Sequence, residues 1–239
     1  MKKTALVAFA VIIVAASAYL FKDKILSFVR QPKPDLVDII KYFPFTKENS
    51  LKEWEEKVLK RKVDYTIEKD EPEIFVHAAS EKAASALYYK IKLDVNKSPV
   101  ISWKWRVEKF PTRKLPETLS SKKEEDFAAR VYVMFPAAFF TKSKVVEYIW
   151  AETLAAGTSG TSGYSKNIKL LVLESGPSSG EWRFEKRNIF EDYVTLFGER
   201  PKLNIGAIAF MTDADSTKTS ASAMYDEIEI GYEKKEDEK

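Results

Sequence analysis

The sequence predicts an all-β fold: a two-sheet antiparallel β-sandwich of jelly-roll type, with one short inserted helix and an N-terminal apolar helix. Three observations predict it. Residues 99–107, PVISWKWRV, alternate Ile101, Trp103, Trp105 and Val107 with Ser102, Lys104 and Arg106, the period of a strand with one buried face. Roughly ten short stretches of this kind follow one another with turn residues between them. Helical spacing inside the domain is confined to 189–198, where Phe190, Tyr193, Val194 and Phe197 share a face and Gly198 ends the run. The two indoles of the central strand bring about 150–250 Å² of surface each, so a second layer must cover them.

The chain opens with Met1-Lys2-Lys3, an uncharged apolar run from Ala5 to Phe21, and a small-residue cleavage pattern at Ala16-Ser17-Ala18. This reads as a cleaved secretory signal or as an uncleaved anchor, about 17 apolar residues being the short end for a span. Ile25, Leu26, Phe28 and Val29 extend the apolar pattern past the cut, which favours the anchor. Either way the folded part is expected outside the cytoplasm, because basic residues stay inside. Residues 1–29 are therefore assigned to signal or anchor and 30–41 to a linker, in which Pro32 and Pro34 break the helix. A short helix over Leu36–Tyr42, ended by Pro44, leads into a jelly-roll domain over 42–232; 233–239 is a charged tail.

Within the domain, Trp54 is expected in the core, and strands are expected at 64–68, 73–78 and 85–93 before the central one. Residues 109–125, with Pro111, Pro116 and an excess of Lys and Arg, read as a solvated surface loop. Strands return at 126–135, where Arg130, Tyr132 and Met134 oppose Val131, Val133 and Phe135, and at 148–152, YIWAE. GTSGTSG at 157–163 reads as a flexible loop, and IKLLVLE at 168–174 as a strand buried on both faces. At 181–188, Trp182, Phe184 and Lys186 alternate with Arg183, Glu185 and Arg187. IGAIAFM at 205–211 and AMYDEIEIGY at 223–232 close the sheets.

Several chemistries are excluded or disfavoured. The chain has no cysteine, which rules out disulfides, thiolate metal sites and a cysteine nucleophile. His77 is the single histidine, so zinc sites and Ser-His-Asp triads find no partner set. The net charge is only +3 and the basic residues are dispersed, so no nucleic-acid partner is expected.

Three groups of residues remain as candidates. Arg106, Arg130, Tyr132, Trp150, Glu152, Glu185 and Arg187 sit at alternate strand positions. If their polar sides coincide, they form a patch of the kind that stacks sugar rings and bonds hydroxyls; the competing expectation is structural salt bridges with core aromatics. Asp213 and Asp215 offer oxygens to calcium, with Asx-turn capping as the alternative role. Glu152, Glu174 and Glu185 offer carboxylate pairs to flank a glycosidic bond, at a separation set by the fold.

ISWKWRV, EDFAARVYVMF, YIWAE, LVLESG, WRFEKRNIFEDYVTLFGERP, AIAFMTDADST and MYDEI, in this order, resemble the bacterial DUF3047 family over Phe43 to Tyr232. The resemblance implies an exported protein of unknown function, with a β-sandwich similar to galactose-binding-like and carbohydrate-binding jelly rolls, and it implies no catalytic residue. Where the family has a TDxDNTG-like loop, this chain has Thr212-Asp213-Ala214-Asp215-Ser216-Thr217-Lys218, without the Asn and Gly. The expectation is a non-catalytic binding module for a glycan or envelope component, tethered to the membrane by its N-terminal segment. A glycan hydrolase and a structural or assembly protein of the envelope are the alternatives.

Overall fold

The computed structural model describes residues 37–139, 142–178 and 180–234. The expected N-terminal helix, with its signal or anchor reading, lies outside these residues, as does the tail beyond 234. Among the described residues, no helix is long and apolar enough to cross a membrane.

The architecture is a β-sandwich of two sheets. The strands are β1 (Val37–Phe43), β2 (Glu55–Val58), β3 (Asp64–Asp70), β4 (Glu73–Glu81), β5 (Ala84–Leu93), β6 (Pro99–Lys109) and β7 (Ala129–Phe135). They continue as β8 (Lys144–Ala151), β9 (Ser159–Thr161), β10 (Ile168–Ser175), β11 (Arg183–Asn188), β12 (Ile205–Asp213) and β13 (Ser220–Glu233). The first sheet runs β11-β6-β13-β4-β3, with β1 also on β13; the second runs β2-β5-β12-β7-β8-β10-β9. Pairing is antiparallel except between β8 and β10, which run parallel, so the second sheet is mixed rather than purely antiparallel as expected. The intervening segment makes this possible. It carries the chain across β10 to lay β9 on its far side before returning, and a parallel pair needs such a crossover.

Trp103 and Trp105 point inward from β6 and are fully buried. Their rings meet edge to face at 5.2 Å, and Tyr148 and Trp150 of β8 cover them at 5.4 and 5.8 Å. The second layer demanded by the indoles is thus the inner face of the second sheet. Helix α1 (Ile189–Phe197) follows β11 directly. The Asn188 side chain accepts from Glu191 N at its start, and Gly198 ends it with a positive φ of 68°. Its Tyr193 packs on Phe135 at 4.9 Å.

Three expected segments differ. Residues 37–43 form a strand, not a helix and linker: β13, the longest strand, offers β1 a free edge, and Phe43 reaches the core against Trp54 at 4.6 Å. GTSGTSG supplies β9, paired to β10 through backbone bonds that need no core side chain. Residues 110–125 form a loop, as expected, and Lys114, Lys122 and Lys123 are exposed, but it is only partly solvated: Pro111, Glu117, Leu119, Glu124 and Glu125 are buried, Leu119 against Phe127 and Ile149.

Gly231 marks where β1 docks. A Cβ there would lie 2.2 Å from the Asp38 carbonyl oxygen, which is backbone and cannot swing away. Gly231→Ala is expected to lower stability by about 1–3 kcal/mol by overpacking. Urea unfolding with hydrogen exchange at 37–43 checks this; unchanged stability and protection would contradict it.

Candidate functional site

The strand pairings sort the seven expected site residues onto different surfaces rather than one concave patch. Arg106 faces outward from the first sheet. Arg130 and Tyr132 face outward from the second. Trp150, Glu185 and Arg187 face inward, because Glu185 pairs with Trp103 and Arg187 with Ile101, both core positions. Glu152 lies just beyond the end of β8.

Arg130 is a buried structural cation. It bonds Glu147 Oε1 through Nε at 2.6 Å and through Nη2 at 2.5 Å. Nη1 donates to Asp213 Oδ2 at 2.5 Å and to the Glu125 carbonyl at 3.2 Å. Phe127 and Tyr132 flank the guanidinium at 5.2 and 5.6 Å. Burial pushes Glu147 up to about 7 and raises Asp213, in both cases against the pull of Arg130. Such a residue is not offered to a ligand.

The acidic loop is likewise turned inward. Carboxylate oxygens of Asp126, Asp213 and Asp215 lie within 4.8 Å of one another. Asp126 accepts from Ser216 N at 3.1 Å and Thr217 N at 2.6 Å, capping the loop, while Asp213 accepts from Phe127 N at 2.9 Å and from Arg130. Asp126, rather than Asp213 or Asp215, thus caps the loop, and Asp215 is half-buried.

At the edge between β10 and β11, inward-facing polar groups collect. Arg187 grips Asp192 at 2.9 and 2.5 Å, and Asp192 accepts from the Tyr148 hydroxyl at 2.8 Å. Trp150 is buried, its indole N–H donating to the Gly176 carbonyl at 2.8 Å. Of the three expected carboxylates, Glu174 and Glu185 are neighbours and Glu152 is elsewhere. Burial first, then the Glu174 charge, push Glu185 up to about 7, against Trp105 and Arg187. Glu185 Oε1 and the Trp105 indole nitrogen are both buried without a well-formed hydrogen bond among the described residues.

This raised pKa has a sign. The folded chain holds a proton on Glu185 that the unfolded chain releases, so its contribution to stability falls as pH rises from about 4.5 through about 7. Glu185→Gln is expected to be nearly neutral at pH 4.5 and stabilising relative to the natural chain at pH 8. Urea midpoints across that range check it; a pH-independent difference would contradict it.

The outward face of the first sheet has a different character. Register aligns Phe184, Lys104 and Asp226 in one row across β11, β6 and β13; Arg106, Met224 and His77 form the next across β6, β13 and β4. Trp182, immediately before β11, lies over the Arg106 guanidinium at 5.1 Å and reaches Phe75 at 5.5 Å. Phe75 lies 5.6 Å from the same guanidinium, so Arg106 packs against a contacting pair of rings. Its Nη1 donates to the Gly180 carbonyl at 3.3 Å, and Asp70 stands 3.7 Å from Nη2. Beside it opens a cavity of about 340 Å³ lined by Arg106, Glu108, Phe110, Pro177, Ser178 and Met224.

The surrounding polar groups are pre-set. His77 contacts Glu68 at 2.9 Å and Glu108 at 3.3 Å, and Glu108 accepts from Ser222 Oγ at 2.7 Å. The Ser222 hydroxyl and His77 hold Glu108 below the usual carboxylate range against its partial burial. Lys104 pairs with Glu227 at 2.9 Å. Phe184 stands beside it, 60% exposed. This face combines stacking surfaces, fixed donors and fixed acceptors. Arg106 was legible in the sequence; Trp182, Phe184 and Phe75 were not chosen. The signal for the first two was present, as the other face of the alternation at 181–188.

The class so defined is a β-sandwich that presents an aromatic and charged sheet face beside a cavity. The chain belongs to the DUF3047 family, described as a protein of unknown function, whose family model matches residues 52–229. No curated protein matches the chain in sequence. Among solved structures it is similar to the CBM22-1 xylan-binding domain of Paenibacillus barcinonensis Xyn10C, at TM-score 0.44 and 10% identity, over 85% of this chain and 100% of that one. It is also similar to the family 30 carbohydrate-binding module of the cellulosomal cellulase Cel9D-Cel44B of Clostridium thermocellum, at TM-score 0.44 and 6% identity over 82% and 100%. A third is the xyloglucanase domain of NopAA, a type three effector of Sinorhizobium fredii, in complex with cellobiose, at TM-score 0.45 and 8% identity over 75% and 93%. Likeness at this level says nothing of what this chain binds.

Proposed function

We propose that the chain is a non-catalytic glycan-binding module of the cell envelope, a jelly-roll-type domain exported behind its N-terminal segment. The ligand is placed on the outward face of the first sheet. One observation supports this above the others: Arg106 is held against the contacting rings of Trp182 and Phe75 and lines a 340 Å³ cavity, on a face that also exposes Phe184. Sugar rings lay their C–H faces on indole and phenyl rings, while fixed Arg and Glu groups take hydroxyl hydrogen bonds. The test is a glycan array probed with the natural chain and with Trp182→Ala, with and without calcium. Saturable binding that Trp182→Ala removes supports the module; calcium dependence brings the Asp213–Asp215 loop back as a ligand set. No binding in either condition overturns it.

The hydrolase reading rests on the neighbouring Glu174 and Glu185 at the β10–β11 edge. Release of new reducing ends from a bound glycan, abolished by Glu185→Gln, would establish it in place of the binding module.

A further inference from the structure

We infer that the binding face continues around Phe110 into a second cavity, and that the ligand is a neutral linear oligosaccharide long enough to occupy both. This rests on the glycan reading and extends it to chain length and charge. The second cavity has about 500 Å³ and is lined by Phe110, Thr112, Arg113, Leu115, Glu152 and Thr153, among others. Phe110 lines both cavities, so they adjoin at this residue. Each has a volume in the range of small-molecule sites.

The second compartment is built rather than incidental. Glu117 is buried and locks its wall, accepting from the backbone N–H groups of Glu152, Thr153 and Leu154 at 3.1, 2.7 and 3.1 Å. It also accepts from Thr153 Oγ1 at 3.0 Å and from Arg113 Nη2 at 2.8 Å. Arg113 is more than nine-tenths buried, with its Nη2 also donating to the Asp126 carbonyl. Its Nε and Nη1, themselves buried, have no hydrogen-bond partner among the described residues, an uncommon state for a buried guanidinium. The Glu152 carboxylate, at the cavity's edge, makes no hydrogen bond or ion pair among the described residues. The free Glu152 carboxylate, the threonines and the Phe110 wall together fit a polyhydroxylated ring.

Charge selects among such rings. In the second compartment Glu117 and Glu152 outnumber Arg113, and in the first Glu108 offsets Arg106. Neither compartment has surplus positive charge to bind a uronate or phosphate, which the carboxylates repel.

The experiment is calorimetric titration of the full chain with glucose-, mannose- and xylose-based oligosaccharides of one to six residues, and with oligogalacturonates of the same lengths. The natural chain is compared with Phe110→Ala and Glu152→Ala, the latter touching only the second cavity. Affinity is expected to rise at least tenfold between one and four neutral residues, and both variants are expected to flatten that rise. Equal affinity for one and four residues overturns the extended groove while the glycan reading stands. A length effect that survives both variants overturns the assignment to the Phe110 compartments. Tighter binding of the galacturonates overturns the charge selection, and binding of no saccharide overturns both readings together.

Discussion

Arg130→Ala is expected to cost about 3–5 kcal/mol of folding stability, the range for removing one partner of a buried ion pair. The guanidinium serves Glu147, Asp213 and the Glu125 carbonyl and is enclosed by Phe127 and Tyr132. Its loss leaves two carboxylates in a site where burial already raises both. They then take up protons to shed their charge, so the variant is expected to be weakest at alkaline pH and to recover part of the loss near pH 5. Urea unfolding at pH 5 and pH 8 measures this. A loss under about 1 kcal/mol, typical of exposed pairs, would contradict the burial of the cluster.

Trp182→Ala is expected to weaken glycan binding by about 30-fold, or ~2 kcal/mol, the scale of an aromatic hot spot. The indole does two things: it presents a stacking surface, and it holds Arg106 against Phe75. Its removal lets the guanidinium swing and opens Phe75 to water. The fold should tolerate the change, because Trp182 precedes β11 at the sheet edge rather than entering the core. Affinity measured beside the unfolding midpoint separates the two effects. A large stability loss with unchanged affinity would make Trp182 a packing residue only.

The alternation of β6 made the sandwich legible, since paired indoles at Trp103 and Trp105 admit only a covered face. Strand partners were not legible. Nothing in YIWAE or IKLLVLE encodes that β8 and β10 run parallel, because that is set by the long segment between them. β1 was missed because Pro32 and Pro34 made 37–43 look like a linker, whereas the free edge of β13 decides its conformation.

The same ignorance of partners left it illegible that the seven expected residues fall on different surfaces. Period-two patterns separate two faces without saying which is inside. In WRFEKRN the charged set of Glu185 and Arg187 looked like the ligand face. In the structure that set turns inward at the open edge of the sandwich, where Asp192 and Glu174 receive it. The aromatic set faces water, which an edge strand allows because its inner side is only half covered. Arg130 and Trp150 follow the competing expectation of structural salt bridges with core aromatics, since the 109–125 segment and the first sheet cover them from opposite sides. Arg106 lines one cavity and Glu152 the other.

The central claim is that ligand sits on the outward face of the first sheet. Amide hydrogen exchange of the full chain, with and without a saturating oligosaccharide, tests it most directly. Added protection is expected in 104–110 and 180–186. Protection confined to the second sheet, around 130–132 and 145–151, would contradict the account.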